Sequence, residues 1–318
     1  MVSAAEYVEQ WLPGYDGTQF YTRTYAASSP KAVLLFVHGF AEHVGRYEHV
    51  HVQYPKRNIT LFAYDLRGYG RTALDTEHKS KDSAYGKTSW DMTLRDIEFF
   101  GKHLAAQYPG TPLYLMGHSA GGGAALAYFT RDREPPSPEG KKLFTAVIAS
   151  SPFIVLTHPK PRIVRWAGAK LALLRPYQLI PADVGVENIT RNQASREAYA
   201  KDPLIKRTGS LRALDDMLTG GEKLLSEDYA KWPKDLPLFI VHGTADQVTS
   251  CDASKEFCEK VPAASKKISL YEGGYHELVH EPDGMPERLV DECIAWIEEH
   301  LPQKASSPSG SLPPESKL

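Results

Sequence analysis

The chain has 318 residues, of which 42% are hydrophobic and 24% charged, and these proportions exclude a fibrous repeat or wholesale disorder. Its 37 basic and 39 acidic residues give a net charge of −2, which provides no general basic field and argues against a nucleic-acid partner. The three cysteines, Cys251, Cys258 and Cys293, are too few for a disulfide framework and lack C-x-x-C spacing, so we expect reduced thiols and no metal site.

The chain opens with a predicted hairpin, because Asp16-Gly17 is a hairpin-type turn followed by aromatic and β-branched residues. Short apolar runs then recur, as expected of strands buried on both faces of a parallel sheet, at 32–37, 60–64, 113–116, 145–149, 238–241 and 268–271. Helical stretches separate these runs, for example at 89–107, 120–130, 254–260 and 286–300. The alternation predicts an α/β fold in which a mostly parallel central sheet is flanked by helices.

One stretch interrupts this alternation, since no run between Phe153 and Trp232 resembles a buried strand. Helix-like segments at 163–174, 195–200 and 210–225 instead predict an inserted helical cap. We therefore divide the chain into a first part of the core, a cap or lid, a second part of the core and a disordered tail, at residues 1–152, 153–233, 234–301 and 302–318.

The strongest chemical signal is Gly117-His118-Ser119-Ala120-Gly121, which follows an apolar run and precedes an Ala/Gly-rich helix. This context predicts a sharp strand-to-helix turn that projects the Ser119 hydroxyl above the sheet. A position at a helix N-terminus also directs the helix dipole at developing negative charge. We therefore predict Ser119 as a nucleophile, the alternative being an ordinary Gly-rich helix start.

A serine nucleophile needs a base, and the base needs a group that orients it. Asp246 and His276 each follow a predicted strand, and they come after the serine in the order Ser, acid, His. His280 competes with His276, but it lies beyond the Gly-rich loop. Asp252 competes with Asp246, but it is expected to be the N-cap of the next helix.

The oxyanion of an acyl-transfer intermediate needs two backbone N–H donors. The sequence predicts one at Ala120, directly after the serine, and the other at Phe40, where Gly39 permits a tight turn after the strand 32–37. We expect His38 to fix this loop by hydrogen bonding, and Asp65 to belong to a structural loop.

Together these motifs resemble the monoacylglycerol lipase family of α/β-hydrolases, its fungal members especially, and the chain is also similar in outline to peroxisome-targeted α/β-hydrolases. The likeness spans about residues 5 to 300 and is carried by the segments 38–47, 65–70, 117–123, 242–246 and 271–278. It implies an α/β-hydrolase fold with a helical cap, and a serine ester hydrolase that cleaves a fatty acyl ester through an acyl-enzyme without a cofactor.

By that resemblance, Ser119, Asp246 and His276 form a catalytic triad, and the implied substrate is a monoacylglycerol. The chain departs from the family at Ala120, where methionine is usual, and at Phe40, where mammalian members have alanine. We expect substrate contacts at Glu42, Arg46, His118 and Trp166.

The first cap helix is expected to line or cover an acyl tunnel with its large apolar side chains, Ile163, Val164, Trp166, Leu171, Leu173 and Leu174. Its cations, Arg162, Arg165, Lys170 and Arg175, surround the helix axis, which favours packing on the domain. Transient lipid-surface contact through the cap stays open as an alternative.

Two rival functions remain at this stage. One is a peroxisomal hydrolase acting on an acyl thioester or a toxin-type biosynthetic intermediate, and the other is a binding protein without catalysis on the same fold. A substrate panel distinguishes the first, and labelling by a fluorophosphonate distinguishes the second.

The sequence also carries targeting signals to be weighed. The segment 302–318 has four prolines and five serines, too polar to pack, and it ends in Ser316-Lys317-Leu318, a peroxisomal address read by an import receptor. The first 12 residues have no apolar core and are not expected to be a signal peptide. We therefore expect a peroxisomal protein, with the cytosol or the lipid-droplet surface as the alternative.

Overall fold

A computed structural model describes residues 6–302, and the predicted tail from residue 303 onward, with its terminal tripeptide, lies outside them. The centre is an eight-stranded sheet of order β1-β2-β4-β3-β5-β6-β9-β10. Its strands are β1 Val8–Pro13, β2 Gln19–Tyr25, β3 Ala32–Val37, β4 Ile59–Tyr64, β5 Leu113–His118, β6 Phe144–Ser150, β9 Leu238–Gly243 and β10 Lys266–Tyr271. The pairs β1/β2 and β2/β4 are antiparallel, and the remaining pairs are parallel.

Eleven α-helices occur in the described range: α1 Glu48–His51, α2 Gly70–Leu74, α3 Trp90–Gln107, α4 Ala120–Thr130, α5 Pro138–Lys141, α6 Arg162–Leu174, α7 Val186–Ile189, α8 Gln193–Lys201, α9 Leu211–Ser226, α10 Cys251–Lys260 and α11 Met285–Glu299. Between Glu6 and Pro302, no helix combines the length and apolarity that crossing a membrane requires.

The apolar strands are explained by two cores, one on each face of the sheet. In β3, Val33 and Leu35 belong to the core that contains α3, α4 and α10, whereas Leu34 and Phe36 belong to the core that contains α11. Side chains alternate between faces along a strand, so a strand covered on both faces is apolar at every position. The predicted α/β-hydrolase fold with a mostly parallel sheet is confirmed.

Predicted element ends agree with the structure to within about three residues. The largest shift is at α10, which begins at Cys251 because the Ser250 hydroxyl accepts a hydrogen bond from the Ala253 amide and caps the helix. The prediction that Asp252 is the N-cap is therefore wrong, and Asp252 lies in the first turn of that helix.

The insertion between β6 and β9 contains α6 to α9 and also two short strands, β7 Leu179–Pro181 and β8 Thr208–Ser210, which form an antiparallel pair. The sequence did not predict these strands. The insertion is tied to the core through α9, where a Cβ on Gly220 would lie 2.1 Å from the Trp90 ring. The close approach of α9 to α3 therefore depends on the missing side chain.

Helix α6 turns its small side chains inward and its large ones outward. Gly168, Ala169 and Ala172 form its inner face, whereas Trp166 is 60% exposed and Leu174 is 80% exposed. The large apolar side chains of this helix, which were expected to line or cover an acyl tunnel, therefore lie mostly on its outer face.

Candidate active site

Ser119 lies on a strained turn between β5 and α4, with φ 51° and ψ −118°. A backbone in this region is costly for a residue with a side chain and is held only by its surroundings. The Ser119 carbonyl accepts hydrogen bonds from the Gly123 amide at 2.9 Å and from the Phe153 amide at 2.8 Å. A Cβ on Gly121 would lie 2.3 Å from the Val37 carbonyl oxygen, so glycine is required for α4 to meet β3 this closely.

The structure brings the three predicted reactive side chains together. The Ser119 hydroxyl lies 2.9 Å from His276 Nε2, and His276 Nδ1 lies 2.8 Å from Asp246 Oδ2. All three residues are buried, with exposures of 8%, 4% and 4%. These contacts fit a ring that donates Nδ1–H to the carboxylate and accepts the serine proton at Nε2.

The Asp246 carboxylate is held by several donors at once. Oδ1 accepts the amides of Val248 at 2.7 Å and Thr249 at 3.0 Å, and Oδ2 accepts the Thr249 hydroxyl at 2.9 Å and faces His242 Nε2 at 3.1 Å. Burial alone would raise the pKa of Asp246, but His276 and these hydrogen bonds hold it well below its usual value. This lowered pKa keeps Asp246 ionised at neutral pH.

The contact between Asp246 and His276 raises the pKa of the histidine, whereas it lowers that of the carboxylate. Burial lowers the pKa of His276, but the charge and hydrogen bond of Asp246 outweigh it, and the net pKa is raised above 6.5. A carboxylate beside an imidazole stabilises the imidazolium, which is the form a general base reaches after taking a proton.

The predicted oxyanion loop runs directly beside the serine. A Cβ on Gly39 would lie 3.0 Å from the Ser119 Cβ, so the approach requires glycine. In residues 6–302, no acceptor takes the amides of Phe40 or Ala120, the two predicted oxyanion donors. His38 donates Nδ1–H to the Gly39 carbonyl at 2.8 Å and accepts the Leu66 amide at Nε2, so it fixes the loop as expected.

Glu42 holds this loop instead of offering a free carboxylate. Its Oε1 accepts the Gly39 amide at 2.5 Å and the Tyr47 hydroxyl at 2.6 Å, and its Oε2 accepts from Arg46 at 2.6 Å. Burial raises the pKa of Glu42, but Arg46 and the neighbouring histidines lower it to about 2. Glu42 therefore acts on the site indirectly, because it holds Gly39 in place beside Ser119.

Ser119 opens onto two cavities of different chemistry. A mostly apolar cavity of about 290 Å³ runs under the cap and is lined by residues such as Phe153, Leu156, Val164, Leu214, Met217 and Val248. We call it the acyl cavity. A second space of about 30 Å³, the polar chamber, is lined by Glu42, Arg46, His118, Tyr199, His276 and Glu277 among others.

Three of the four predicted substrate contacts therefore line the polar chamber, and the fourth does not. Trp166 lines neither cavity and faces outward from α6, so this prediction is corrected. Of the large apolar residues expected around a tunnel, only Val164 lines the acyl cavity. The reason is the orientation of α6, whose small inner face contacts α9.

The structure also adds residues that the sequence did not indicate. Glu277 forms a two-pronged ion pair with Arg46, with N–O distances of 2.6 Å, although 231 positions separate them. Thr249 and His242 contact Asp246. In the sequence, the only indication of Glu277 was its position directly after His276. For Thr249 and His242, the only indication was their closeness to Asp246 along the chain.

The competing candidates lie elsewhere. The His280 residue is half-buried and does not line the polar chamber, and desolvation lowers its pKa to about 4. The Asp252 side chain is 90% exposed and pairs with Lys255. Asp65 accepts the amides of Val44 and Arg71, which makes it a loop-fixing residue as expected.

A serine on a strand-to-helix elbow, with its histidine and carboxylate after later strands of a mostly parallel sheet, defines an α/β-hydrolase of the serine type. A family model for Hydrolase_4, described as serine aminopeptidase, S33, matches residues 28–283. The chain belongs to this family, within which it is a member of the monoacylglycerol lipase group and a carboxylic ester hydrolase.

Relatives in sequence agree with this membership, and a solved structure shares the fold. A candidate monoglyceride lipase of Schizosaccharomyces pombe is 33% identical over 91% of this chain and 71% of its own length. The human monoglyceride lipase is 26% identical over 95% of this chain and 93% of its own length. The fold matches the crystal structure of a soluble variant of the Saccharomyces cerevisiae monoglyceride lipase with a TM-score of 0.82, 24% identity, and coverage of 96% and 98%.

The electrostatics of the site predict a pH effect. Since the pKa of His276 is raised, kcat/KM should fall as the base becomes protonated, with a midpoint at higher pH than that of an ordinary imidazole. Asp246→Asn removes the main cause of the raised pKa, so the midpoint should move to lower pH, and kcat should fall by about 10⁴. Rate measurements on a soluble ester from pH 5 to 9 test both effects.

Asp252→Asn is the matched control, since it removes a nearby carboxylate that is exposed and paired with Lys255. Its profile should match that of the unaltered protein. An equal or greater loss with Asp252→Asn would transfer the orienting role to Asp252.

Proposed function

We propose that the protein hydrolyses monoacylglycerols through an acyl-enzyme formed on Ser119. The observation that carries the proposal is the position of Ser119 at the junction of the acyl cavity and the polar chamber. An ester with a long apolar acyl group and a small polyhydroxylated alcohol fits such a pair of spaces, since each part meets a lining of its own polarity.

In this mechanism His276 takes the proton from the Ser119 hydroxyl as the oxygen attacks the acyl carbonyl. The amides of Phe40 and Ala120 stabilise the oxyanion, which forms beside the N-terminus of α4. His276 then gives its proton to the departing glycerol oxygen. Water attacks the acyl-enzyme with His276 again as base, and the fatty acid leaves.

The polar chamber supports glycerol as the alcohol. His118 is buried, and burial together with the nearby His276 lowers its pKa to about 4, so its ring is neutral. A neutral imidazole can donate to one glycerol hydroxyl and accept from another. Arg46 and Glu42 are occupied by their ion pairs, so they contribute shape and charge to the chamber instead of free ligands.

A purified-enzyme ester panel tests the substrate class. Burial of the chain in the acyl cavity is worth about 0.8 kcal/mol per methylene, so kcat/KM should rise by up to about fourfold per methylene until the cavity is filled. Monoacylglycerols should be cleaved faster than matched methyl esters, because only glycerol offers hydroxyl groups to the lining of the polar chamber. Ser119→Ala should abolish turnover and labelling by a fluorophosphonate.

The same panel includes acyl-CoA thioesters and bulky aromatic or polyketide esters, the alternative substrates of a peroxisomal or biosynthetic hydrolase. A preference for either class over monoacylglycerols would replace the proposed substrate and leave the serine mechanism in place. Turnover by Ser119→Ala would contradict the mechanism itself.

We propose in addition that α6 contacts an anionic lipid surface. Its outer face exposes Ile163, Trp166, Leu173 and Leu174, and no acidic residue occurs between His158 and Arg175. Cations beside an exposed apolar face favour a membrane interface that carries negative charge. Contact there would place the mouth of the acyl cavity, which Val164 and Lys160 line, close to lipid.

Vesicle flotation tests this contact. The protein should bind vesicles of phosphatidylcholine with phosphatidylglycerol more strongly than phosphatidylcholine alone, and less at high salt. Leu173→Ser with Leu174→Ser should reduce binding at least tenfold and leave turnover of a soluble short-chain ester unchanged. Val8→Ser, at a residue 54% exposed on β1, is the control and should bind normally. Equal binding by all three proteins would refute the contact.

For location, we propose import into the peroxisome through Ser316-Lys317-Leu318, in line with its match to a receptor-read address. A fluorescent fusion at the N-terminus should form peroxisomal puncta, and deletion of the tripeptide should move it to the cytosol without changing ester hydrolysis. A cytosolic or lipid-droplet pattern for the full chain would contradict the proposal.

A further inference from the structure

The Phe40 side chain lies where three cavities meet. Its ring lines the acyl cavity and the polar chamber, and it also lines a third space of about 40 Å³. We call this third space the back pocket. Its walls include Tyr69, Trp90, Ala120, Ala124, Ala213 and Met217, and Ser119 does not line it. Phe40 therefore stands between the nucleophile and a small, mostly apolar space beside Ala120.

The ring is held in this position from two sides. Its edge packs against Tyr69, with ring centroids 5.6 Å apart and planes inclined at 69°. On the cap side, a Cβ on Gly209 would lie 2.6 Å from the Phe40 Cζ, so the ring tip fills the space that a side chain on β8 would take. A ring clamped between the core and the cap cannot swing aside without displacing one of them.

The position of the Phe40 ring relative to the reacting atoms determines which acyl groups it can exclude. Phe40 and Ala120 supply the amides that would bind the carbonyl oxygen, and both residues also border the back pocket. The acyl carbon next to the carbonyl must therefore lie close to the Phe40 ring. A linear chain can turn from there into the acyl cavity, whereas a branch at that carbon would have to enter the space that the ring occupies.

We propose that the Phe40 ring is a specificity wall, which closes the back pocket and restricts the enzyme to acyl groups that are unbranched beside the scissile carbonyl. This inference rests on the proposed ester hydrolysis at Ser119 and adds the shape of the acyl group that the site accepts. One extra methyl group in a close-fitting site is discriminated by about 10- to 200-fold. Truncating the Phe40 ring should remove much of this discrimination against branched esters, because the branch could then enter the back pocket.

The test compares kcat/KM for p-nitrophenyl hexanoate and p-nitrophenyl 2-methylhexanoate, which share a leaving group. The unaltered protein should prefer the linear ester by at least tenfold beyond the ratio of the two alkaline hydrolysis rates. Phe40→Ala should reduce this preference at least tenfold. Phe40→Leu should give an intermediate ratio and serves if the alanine variant does not fold, as judged by thermal unfolding.

A second substitution shows whether the back pocket is the space being used. Ala213→Val narrows that pocket from α9, and Ala213 lines neither the acyl cavity nor the polar chamber. As a single substitution, Ala213→Val should leave the ratio of kcat/KM for the linear and branched esters unchanged, because the Phe40 ring already keeps the acyl group out of the back pocket. Combined with Phe40→Ala it should restore the preference for the linear ester.

The outcomes separate this inference from the proposed function. If the linear ester is hydrolysed but the ratio stays the same in the Phe40 variants, the wall is wrong and the serine hydrolase stands. A changed ratio that Ala213→Val does not reverse would also refute the wall. If neither ester is hydrolysed by the unaltered protein, the proposed function fails first.

Discussion

The site depends on one buried guanidinium. Arg46 pairs with Glu42, which holds the oxyanion loop through Gly39, and with Glu277, the residue after the proposed base. Its guanidinium also lies 4.9 Å from the Tyr199 ring of α8. Three separate parts of the chain, the oxyanion loop, the loop after β10 and the cap, are therefore fixed by contacts to a single side chain.

These buried ion pairs fix the positions of the loops more than they stabilise the fold. Burying three charges is costly, and the attraction between them repays the cost only when every donor and acceptor is satisfied. Here both carboxylates meet the guanidinium at 2.6 Å, and the Glu277 amide donates to the Ile189 carbonyl of α7 at 2.7 Å. The arrangement fixes the loops on both sides of Ser119 at once, which a purely apolar contact would do less specifically.

The cap shows how the demands of folding and of function differ. A helix that served only the fold would bury its large apolar side chains, but on α6 only Ala172 is buried, and Gly168 and Ala169 are half-buried. Leaving Leu173 and Leu174 exposed costs the hydrophobic stabilisation that their burial would provide. Contact with lipid would recover part of that free energy, so the face is explained by the proposed surface contact better than by packing.

The sequence predicted the features that depend on residues close together in the chain, and it missed those that depend on distant ones. Ser119, the proposed acid Asp246 and the proposed base His276 each follow an apolar strand closely, so their positions at one edge of the sheet could be inferred. The Arg46–Glu277 pair joins residues 231 positions apart and leaves no local pattern. Trp166 was misplaced because a helical pattern shows which residues share a face, but not which face meets the core. Strands β7 and β8 were missed because three residues are too few for an alternating pattern.

The final constraint on the chemistry lies in the two imidazoles beside the serine. The rings of His118 and His276 have centroids 4.9 Å apart, and both residues are buried, yet the pKa of His118 falls to about 4 while that of His276 is raised. Burial acts on both in the same direction, so the difference comes chiefly from Asp246, which contacts the ring of His276 and not that of His118. In the proposed mechanism a proton taken from Ser119 would therefore stay on His276, and His118 would remain neutral in the wall of the polar chamber. The placement of one carboxylate thus assigns different roles to two residues of the same type.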